Sequence, residues 1–284
     1  MAMIFDLHQI VIANLMMSVG RDKRVQIDAD LIRHMVLNSI RAHVKKFRRE
    51  YGPVIIACDS HEYWRRNIFP PYKGARKAVR DKSVLDWNLI HQLLNQVRDE
   101  LIEWMPYRVV IVPGAEADDV IAVLGRSLVS SEPVLVLSTD KDFCQLHGLG
   151  VAQYSPTQKS FIKVTNPAAT LKEHIIRGDR GDGVPNILSG DNVFLTGERQ
   201  KSINTVKLTE WLDQKPEEFC GSNEIMLRGY HRNQQLIDFT FIPQTLQSKI
   251  LEEYNLQFPN PRQKMLTYFM KFRLRHLTEL LDEF

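Results

Sequence analysis

Five short stretches of this chain carry carboxylates where an apolar run ends or a loop begins. They are Asp6 in MAMIFDLH, Asp59 in PVIIACDS, Glu116, Asp118 and Asp119 in PGAEADDV, Asp140 and Asp142 in VLSTDKDF, and Asp179 and Asp182 in GDRGDGVP. Carboxylates at the ends of several parallel strands converge in space, and unpaired they raise one another's pKa and repel. Such a cluster persists when positive charge sits at its centre. A pair of Mg²⁺ or Mn²⁺ ions is the usual occupant. The pattern therefore constrains the fold and the chemistry together, toward a sheet with its acids at one edge and toward phosphodiester cleavage.

The spacing of apolar residues predicts strands over 2–6, 53–58, 108–112 and 133–138. Helical periodicity predicts helices over 28–48, 84–104 and 117–129, with a short one near 141–147. Alternation of this kind gives an α/β fold, a mostly parallel central sheet flanked by helices. Ligands of such sheets bind beyond the carboxyl ends of the strands, where Asp6, Asp59 and Asp140 fall, with Glu116 in the loop just past another. After residue 165 the pattern turns helical, with a polar, glycine-bearing interruption at 177–199. The expected organisation is an α/β core over 1–165 and a helical region over 166–284. Within the core, about 61–82 is polar, basic and aromatic, and Pro70 and Pro71 break any long helix there.

With 284 residues the chain can bury a large core. No stretch has the ~18 apolar residues of a membrane span. The start lacks a cationic segment and Asp6 interrupts its apolar run, which argues against a signal peptide. Cys58, Cys144 and Cys220 have no CxxC spacing, as expected of reduced thiols in a cytoplasmic protein. Net charge is only +3, yet residues 65–82 hold seven basic residues and one acid, and RAHVKKFRR over 41–49 is basic again. Alternating basic and acidic clusters suit a protein that holds phosphates beside metal ions. For 41–49 a solvated helix face explains the charge equally well.

Any one of these acids has a plainer reading. Asp6, Asp118 or Asp140 alone can cap a helix. Capping does not explain the pairs Glu116/Asp118 and Asp140/Asp142, each two carboxylates on one turn. A helix macrodipole offsets only ~0.3–1 kcal/mol of their repulsion. Carboxylate ligands select Mg²⁺ or Mn²⁺ over zinc or copper. Two such ions activate water without a side-chain nucleophile, and the sequence holds no Ser-His-Asp or Cys-His arrangement to supply one.

In combination, YWRRNIFPPYKGAR, AEADDVIAVL, STDKDFCQL and GDRGDGVP resemble the 5′-nuclease superfamily of flap endonucleases and 5′→3′ exonucleases, above all its phage ribonuclease H branch. The similarity runs over nearly the whole chain. It implies a Mg²⁺-dependent enzyme that removes RNA primers and 5′ flaps from duplexes during DNA replication. Two metal ions are implied, with Mn²⁺ able to substitute. By the resemblance, Asp6, Asp59, Glu116, Asp118 and Asp140 surround the first ion, while Asp142, Asp179 and Asp182 serve the second, with Asp119 close by. Lys73 and Arg76 match arch positions that contact the scissile phosphate. Arg65 and Arg66 would grip the neighbouring backbone beside Lys77, and Tyr72 would stack on a terminal base. Partners implied are DNA and RNA–DNA duplexes with 5′ ends or flaps, a single-strand-binding protein and a sliding clamp. The enzyme is expected to be a monomer in the host cytoplasm.

The sequence departs from the family in reading NILSGDNVFLTGERQKS where a glycine-rich GxGxK hairpin is usual. Ser189, Gly190, Lys201 and Ser202 are left to contact a duplex there. Asp6 also follows the start closely, leaving no visible clamp-binding peptide. A non-catalytic nucleic-acid-binding module with this fold is the alternative, although the intact carboxylate set argues against it. A compact metal ribonuclease leaves the arch without purpose. A phosphomonoesterase lacks its DxDxT or DxDxV signature in DLHQI.

Overall fold

The computed structural model describes residues 1–21, 26–83 and 85–284. In chain order come β1 (Ala2–Asp6), α1 (Leu7–Arg21), α2 (Ala29–Tyr51), β2 (Val54–Ala57), α3 (Arg65–Ile68), α4 (Ala75–Asp81), α5 (Trp87–Trp104) and β3 (Arg108–Val110). They are followed by α6 (Ala117–Leu128), β4 (Val134–Leu137), a 3₁₀ segment (Lys141–Leu149), β5 (Ala152–Ser155) and β6 (Ser160–Ile162). The remainder is helical: α7 (Pro167–Arg177), α8 (Val193–Thr196), α9 (Thr205–Asp213), α10 (Pro216–Cys220), α11 (Glu224–Ile237), α12 (Gln244–Leu256), α13 (Arg262–Lys271) and α14 (Arg275–Thr278).

The strands form one sheet in the order β3-β2-β1-β4-β5-β6, parallel except for the antiparallel edge strand β6. Every residue of β1, β2 and β4 is buried, which is why each reads as an unbroken apolar run. Alternate side chains enter two cores. Met3 and Phe5 pack with α2 and α5 on one face, and Ile4 packs with α6 and α12 on the other. Helix starts follow local chemistry. Asp28 caps α2 by accepting from Leu31 N, Asp86 caps α5 by accepting from Leu89 N, and Asn166 caps α7 just before Pro167.

From β1 the chain builds outward through β2 to β3, then crosses back by α6 to β4 on the other side of β1. The gap beyond the carboxyl ends of β1 and β4 is thus the topological switch point of the sheet. Asp6 ends β1, and the register pairs it with Ala57 of β2. Asp59 and Asp140 follow β2 and β4 directly, so topology alone gathers three of the sequence clusters.

The expected α/β class and the four expected strands are present. The structure adds α1, β5 and β6, which the sequence reading did not identify. Segment 61–82 becomes two short helices, α3 and α4, joined by a turn at Pro70–Gly74. Lys73 there has φ of 55°. A third core joins Phe69, which ends α3, and Tyr72 of that turn to Ile175, Ile176, Val184 and Ile187, so the arch segment packs on the helical part of the chain. The basic run 41–49 lies on α2, where Arg41 and Lys45 pair with Glu283. Lys46 donates to Tyr154 Oη at 2.7 Å. Among the described residues, no helix is long and apolar enough to cross a membrane.

Candidate active site

The carboxylates collect into an inner group at the switch point and an outer group beside α7. In the inner group Asp6 is buried and accepts from Gln9 N at 3.0 Å and Ser138 Oγ at 3.3 Å. Burial, and after it the neighbouring Asp59 and Asp140 carboxylates, push Asp6 up to about 7. Asp59 accepts from Ala117 N at 2.8 Å, which docks the start of α6 against the loop after β2. Asp118 in the first turn of α6 is raised well above the usual carboxylate range by burial and then by Asp140 and Asp6. Asp140 caps the 3₁₀ segment by accepting from Asp142 N at 3.0 Å. Gln153 of β5, 1% exposed, fixes that loop by donating to Ser138 O at 3.0 Å and Asp140 O at 2.6 Å.

The outer group is Asp142, Asp179 and Asp182. Burial and the nearby Asp140 raise Asp142 to about 7, and its Oδ1 is buried with no hydrogen-bond partner among the described residues. Asp179 behaves oppositely. Burial would raise it, but hydrogen bonds from His174 and Lys141 outweigh burial and hold it below the usual range. The loop carrying Asp179 and Asp182 is closed by a small bridge between Asp179 and Val184. Asn233 of α11, fully buried, donates to Ile175 O at 2.7 Å and Pro185 O at 2.8 Å and so holds both ends of that loop.

The basic arch residues bend back over these acids. Lys73 pairs with Glu116, and its Nζ lies 3.8 Å from Asp182 Oδ2. Burial alone would lower Lys73, but Asp182 and Glu116 outweigh it and raise its pKa. Arg76 pairs with Asp182 and donates to Gly181 O at 3.1 Å. An open cleft lined by Gln9, Thr139, Lys141 and Arg76 leads to Asp140, Asp142, Asp179 and Asp182.

Several residues expected to meet ion or substrate sit elsewhere. Tyr72 is 2% exposed, and its hydroxyl lies 2.8 Å from Asp182 Oδ2 and 3.1 Å from Glu116 Oε2. Its ring packs in the third core and is not available to stack on a base, because the turn folds the ring inward. Arg65 is 3% exposed, donates to Glu116 Oε2 at 2.7 Å and Leu236 O at 2.7 Å, and lies 2.8 Å from Asp119 Oδ1. It neutralises two buried acids, so its guanidinium does not reach a phosphate backbone. Asp119 accepts from Trp64 Nε1 and Glu116 N, each at 3.0 Å. That holds its carboxylate, on the first turn of α6, fully buried and away from the cleft. Glu116 is fully buried and already surrounded by Arg65, Tyr72 and Lys73. Arg66 and Lys77 remain exposed.

In the hairpin region, Ser189 is buried; its Oγ donates to Asn186 Oδ1 at 2.8 Å and accepts from Lys201 N at 2.9 Å. The loop thereby closes on itself around Asn186. Two histidines not expected from the sequence meet these acids: His8 Nδ1 lies 3.2 Å from Asp59 Oδ2, and His174 lies between Asp142 and Asp179. Single histidines on helices α1 and α7 carry no motif, so nothing in the sequence distinguishes them. Asp142, His174 and Asp179 bring one donor atom each to within 4.8 Å of one another. The orphaned Asp142 oxygen, with the raised Asp6 and Asp118, is what a cation-binding set looks like before the cation's charge is counted.

Known proteins share this fold. The sequence model of the 5′-3′ exonuclease N-terminal resolvase-like domain matches residues 18–174, and that of the T4 RNase H C-terminal domain matches 167–284. The chain is 32% identical to the ribonuclease H of Enterobacteria phage T4 over 99% of its own length and 95% of that protein's. It is 26% identical to the flap endonuclease Xni of Shewanella sp. (strain ANA-3) over 47% of the chain and 52% of the relative. The phage T5 D15 protein, solved with metal ions, superposes with a TM-score of 0.62 at 18% identity, covering 89% of this chain and 98% of that one. The T5 D15 flap endonuclease in a pseudo-enzyme-product complex with DNA and metal ions superposes equally well. A metal-dependent phosphodiesterase, this chain belongs to the 5′-3′ exonuclease and flap endonuclease family, with the C-terminal domain of the T4 ribonuclease H type.

Proposed function

We propose that the protein is a Mg²⁺-dependent 5′ nuclease that removes RNA primers and 5′ flaps from duplexes in a replicating host cytoplasm. The observation that carries this reading is the convergence of Asp6, Asp118 and Asp140 at the switch point beside Asp142 of the outer group, whose Oδ1 lacks any hydrogen-bond donor among the described residues. These four would hold the ions, with Asp59 and Asp182 at the margins. When bound, divalent cations supply a Lewis acid and an activated water for in-line displacement.

The chain's own residues bind and orient the strand. Arg76 lines the cleft and Lys73 lies largely buried behind it, each on carboxylate partners that a phosphate oxygen can replace, bidentately at Arg76. Exposed Arg66 and Lys77 extend the cationic surface along the incoming strand. The same proposal covers a division into a nuclease core over 1–165 and a helical duplex-binding part over 166–284. It also covers action as a monomer beside a single-strand-binding protein and a sliding clamp.

A labelled 5′ flap carrying an RNA segment, incubated with and without Mg²⁺ and mapped to the nucleotide, tests the reading. Cleavage near the junction is expected only with the metal. Asp140→Asn should abolish cleavage while leaving binding of the flap largely intact. Full activity of that variant with Mg²⁺ present overturns the proposal.

A further inference from the structure

His174 stands on α7 with both ring nitrogens turned toward carboxylates, and the two contacts differ in kind. Nε2 lies 3.0 Å from Asp179 Oδ2 in hydrogen-bond geometry. Nδ1 lies 3.2 Å from Asp142 Oδ1, yet that oxygen is buried and has no hydrogen-bond partner among the described residues. This geometry fits the tautomer in which Nε2–H donates to Asp179 and Nδ1 carries a lone pair.

Asp179 has no comparable open oxygen. Its Oδ1 accepts from Gly181 N at 2.7 Å and Asp182 N at 3.1 Å, and its Oδ2 meets Lys141 Nζ at 3.0 Å as well as His174. Four donors fill the roughly four lone-pair sites of a carboxylate. Asp179 is thus equipped to orient the imidazole and poorly equipped to bind an ion directly.

His174 Nδ1 and Asp142 Oδ1, in contrast, share a space with no proton donor in it. Two lone pairs so placed repel unless a proton or a cation lies between them, and a divalent ion that binds there displaces the proton. Two ligands of one ion, each about 2.1 Å from it at right angles, stand about 3 Å apart. A metal-bound histidine that passes its other N–H to a carboxylate is also the common arrangement in metal sites.

We propose that His174 Nδ1 and Asp142 Oδ1 form a nitrogen–oxygen ligand pair for a divalent transition-metal ion, with Asp179 as the positioning residue that orients the imidazole. This rests on the metal-dependent nuclease reading and deepens it, by moving Asp179 out of the ligand set and adding a nitrogen donor. Imidazole favours transition ions over Mg²⁺. The outer position therefore prefers Mn²⁺ to Mg²⁺, whereas the carboxylates of Asp6, Asp118 and Asp140 suit either ion.

The test is pulsed EPR of the full-length protein loaded with Mn²⁺. A ¹⁴N modulation from one imidazole is expected, changing to the ¹⁵N pattern when histidine is isotope-labelled. It should vanish in His174→Gln and persist in His8→Gln, whose ring also faces a carboxylate. Asp179→Asn should weaken Mn²⁺ at this position about 10–100-fold, as loss of an orienting partner does. The labelled wild-type protein needs no substitution, so the test survives a poorly folding His174 variant. Bound Mn²⁺ without nitrogen coupling overturns this inference and leaves the nuclease reading standing. Absence of any Mn²⁺ binding overturns both.

Discussion

Tyr72 donates its hydroxyl proton to Asp182 Oδ2 across 2.8 Å, with Glu116 Oε2 only 3.1 Å from the same oxygen. One proton thus serves two carboxylates on different segments, the loop after α7 and the start of α6. Tyr72→Phe keeps the ring and removes that proton. A stacking role would leave this variant fully active. A bridging role predicts a stability loss of about 1 kcal/mol or more and slower flap cleavage, because Asp182 and Glu116 lose their shared donor. Urea denaturation and single-turnover cleavage of the variant check both.

Arg65 offers a sharper test of the same frame. It is a buried cation between Glu116 and Asp119, and it also donates to Leu236 O. Removing one member of a buried ion network strands the others and costs about 3–5 kcal/mol. Arg65→Ala should lose stability on that scale in a denaturant titration. Arg65→Lys should rescue little of it, since one ammonium cannot reproduce the planar fork. Wild-type stability of Arg65→Ala would mean that the pairing contributes nothing to the fold.

The buried acids of both groups set a pH dependence. Asp6 and Asp142 are raised to about 7 by burial and then by neighbouring carboxylates. A carboxyl whose folded pKa exceeds its unfolded value favours the fold fully at low pH. That contribution is lost as pH climbs from about 4 through about 7. Asp179, held below the usual range, acts in the opposite sense but only at more acid pH. Metal-free protein should therefore melt at progressively lower temperature as pH rises from about 5 to about 7.5. Added Mg²⁺ or Mn²⁺ should flatten the curve. A metal-free melting temperature that rises over this interval would contradict the arrangement.

A second buried network ties the C-terminal helices to the core. Arg33 of α2 donates from Nε and Nη2 to Glu100 of α5, both at 2.7 Å, and Tyr268 of α13 donates to Glu100 at 2.8 Å. Glu100→Ala should cost about 3–5 kcal/mol by removing the buried partner that Arg33 and Tyr268 share. The loss should appear in chemical denaturation, with hydrogen exchange accelerated first in α13. A variant unfolding like wild type would show that the three helices are held by apolar packing alone.

What could be read from the sequence was what obeys a local rule. β1, β2 and β4 are buried on both faces, so they appear as continuous apolar runs, and their carboxylates follow within three residues. β5 and β6 are four and three residues long. β5 carries the buried polar side chains of Gln153 and Ser155, which hides it from any hydrophobic pattern. The charges of 65–82 were legible as charges but not as directions. Whether Arg65 and Tyr72 face a strand of nucleic acid or the acids of their own chain depends on the turn at Pro70–Gly74 and its packing on α7 and α11. His174 became visible only when α7 brought position 174 beside the loop after β4.

Gly178 links that loop to its chemistry. Its φ is +68°, and a Cβ there would lie 2.4 Å from Val184 O and 2.6 Å from the carbonyl carbon of Pro185. No backbone atom at such a distance yields cheaply, and a φ of 68° with a ψ of −173° is a conformation essentially confined to glycine, costing on the order of 1–3 kcal/mol for any other residue. Gly178→Ala must therefore displace the 179–185 segment, and Asp179 and Asp182 move with it. The expected result is a protein with wild-type helix content, a stability loss of more than about 1 kcal/mol, and cleavage reduced by an order of magnitude or more. Circular dichroism, urea titration and single-turnover kinetics on one preparation separate these effects. Undiminished cleavage would show that the positions of Asp179 and Asp182 do not govern the reaction.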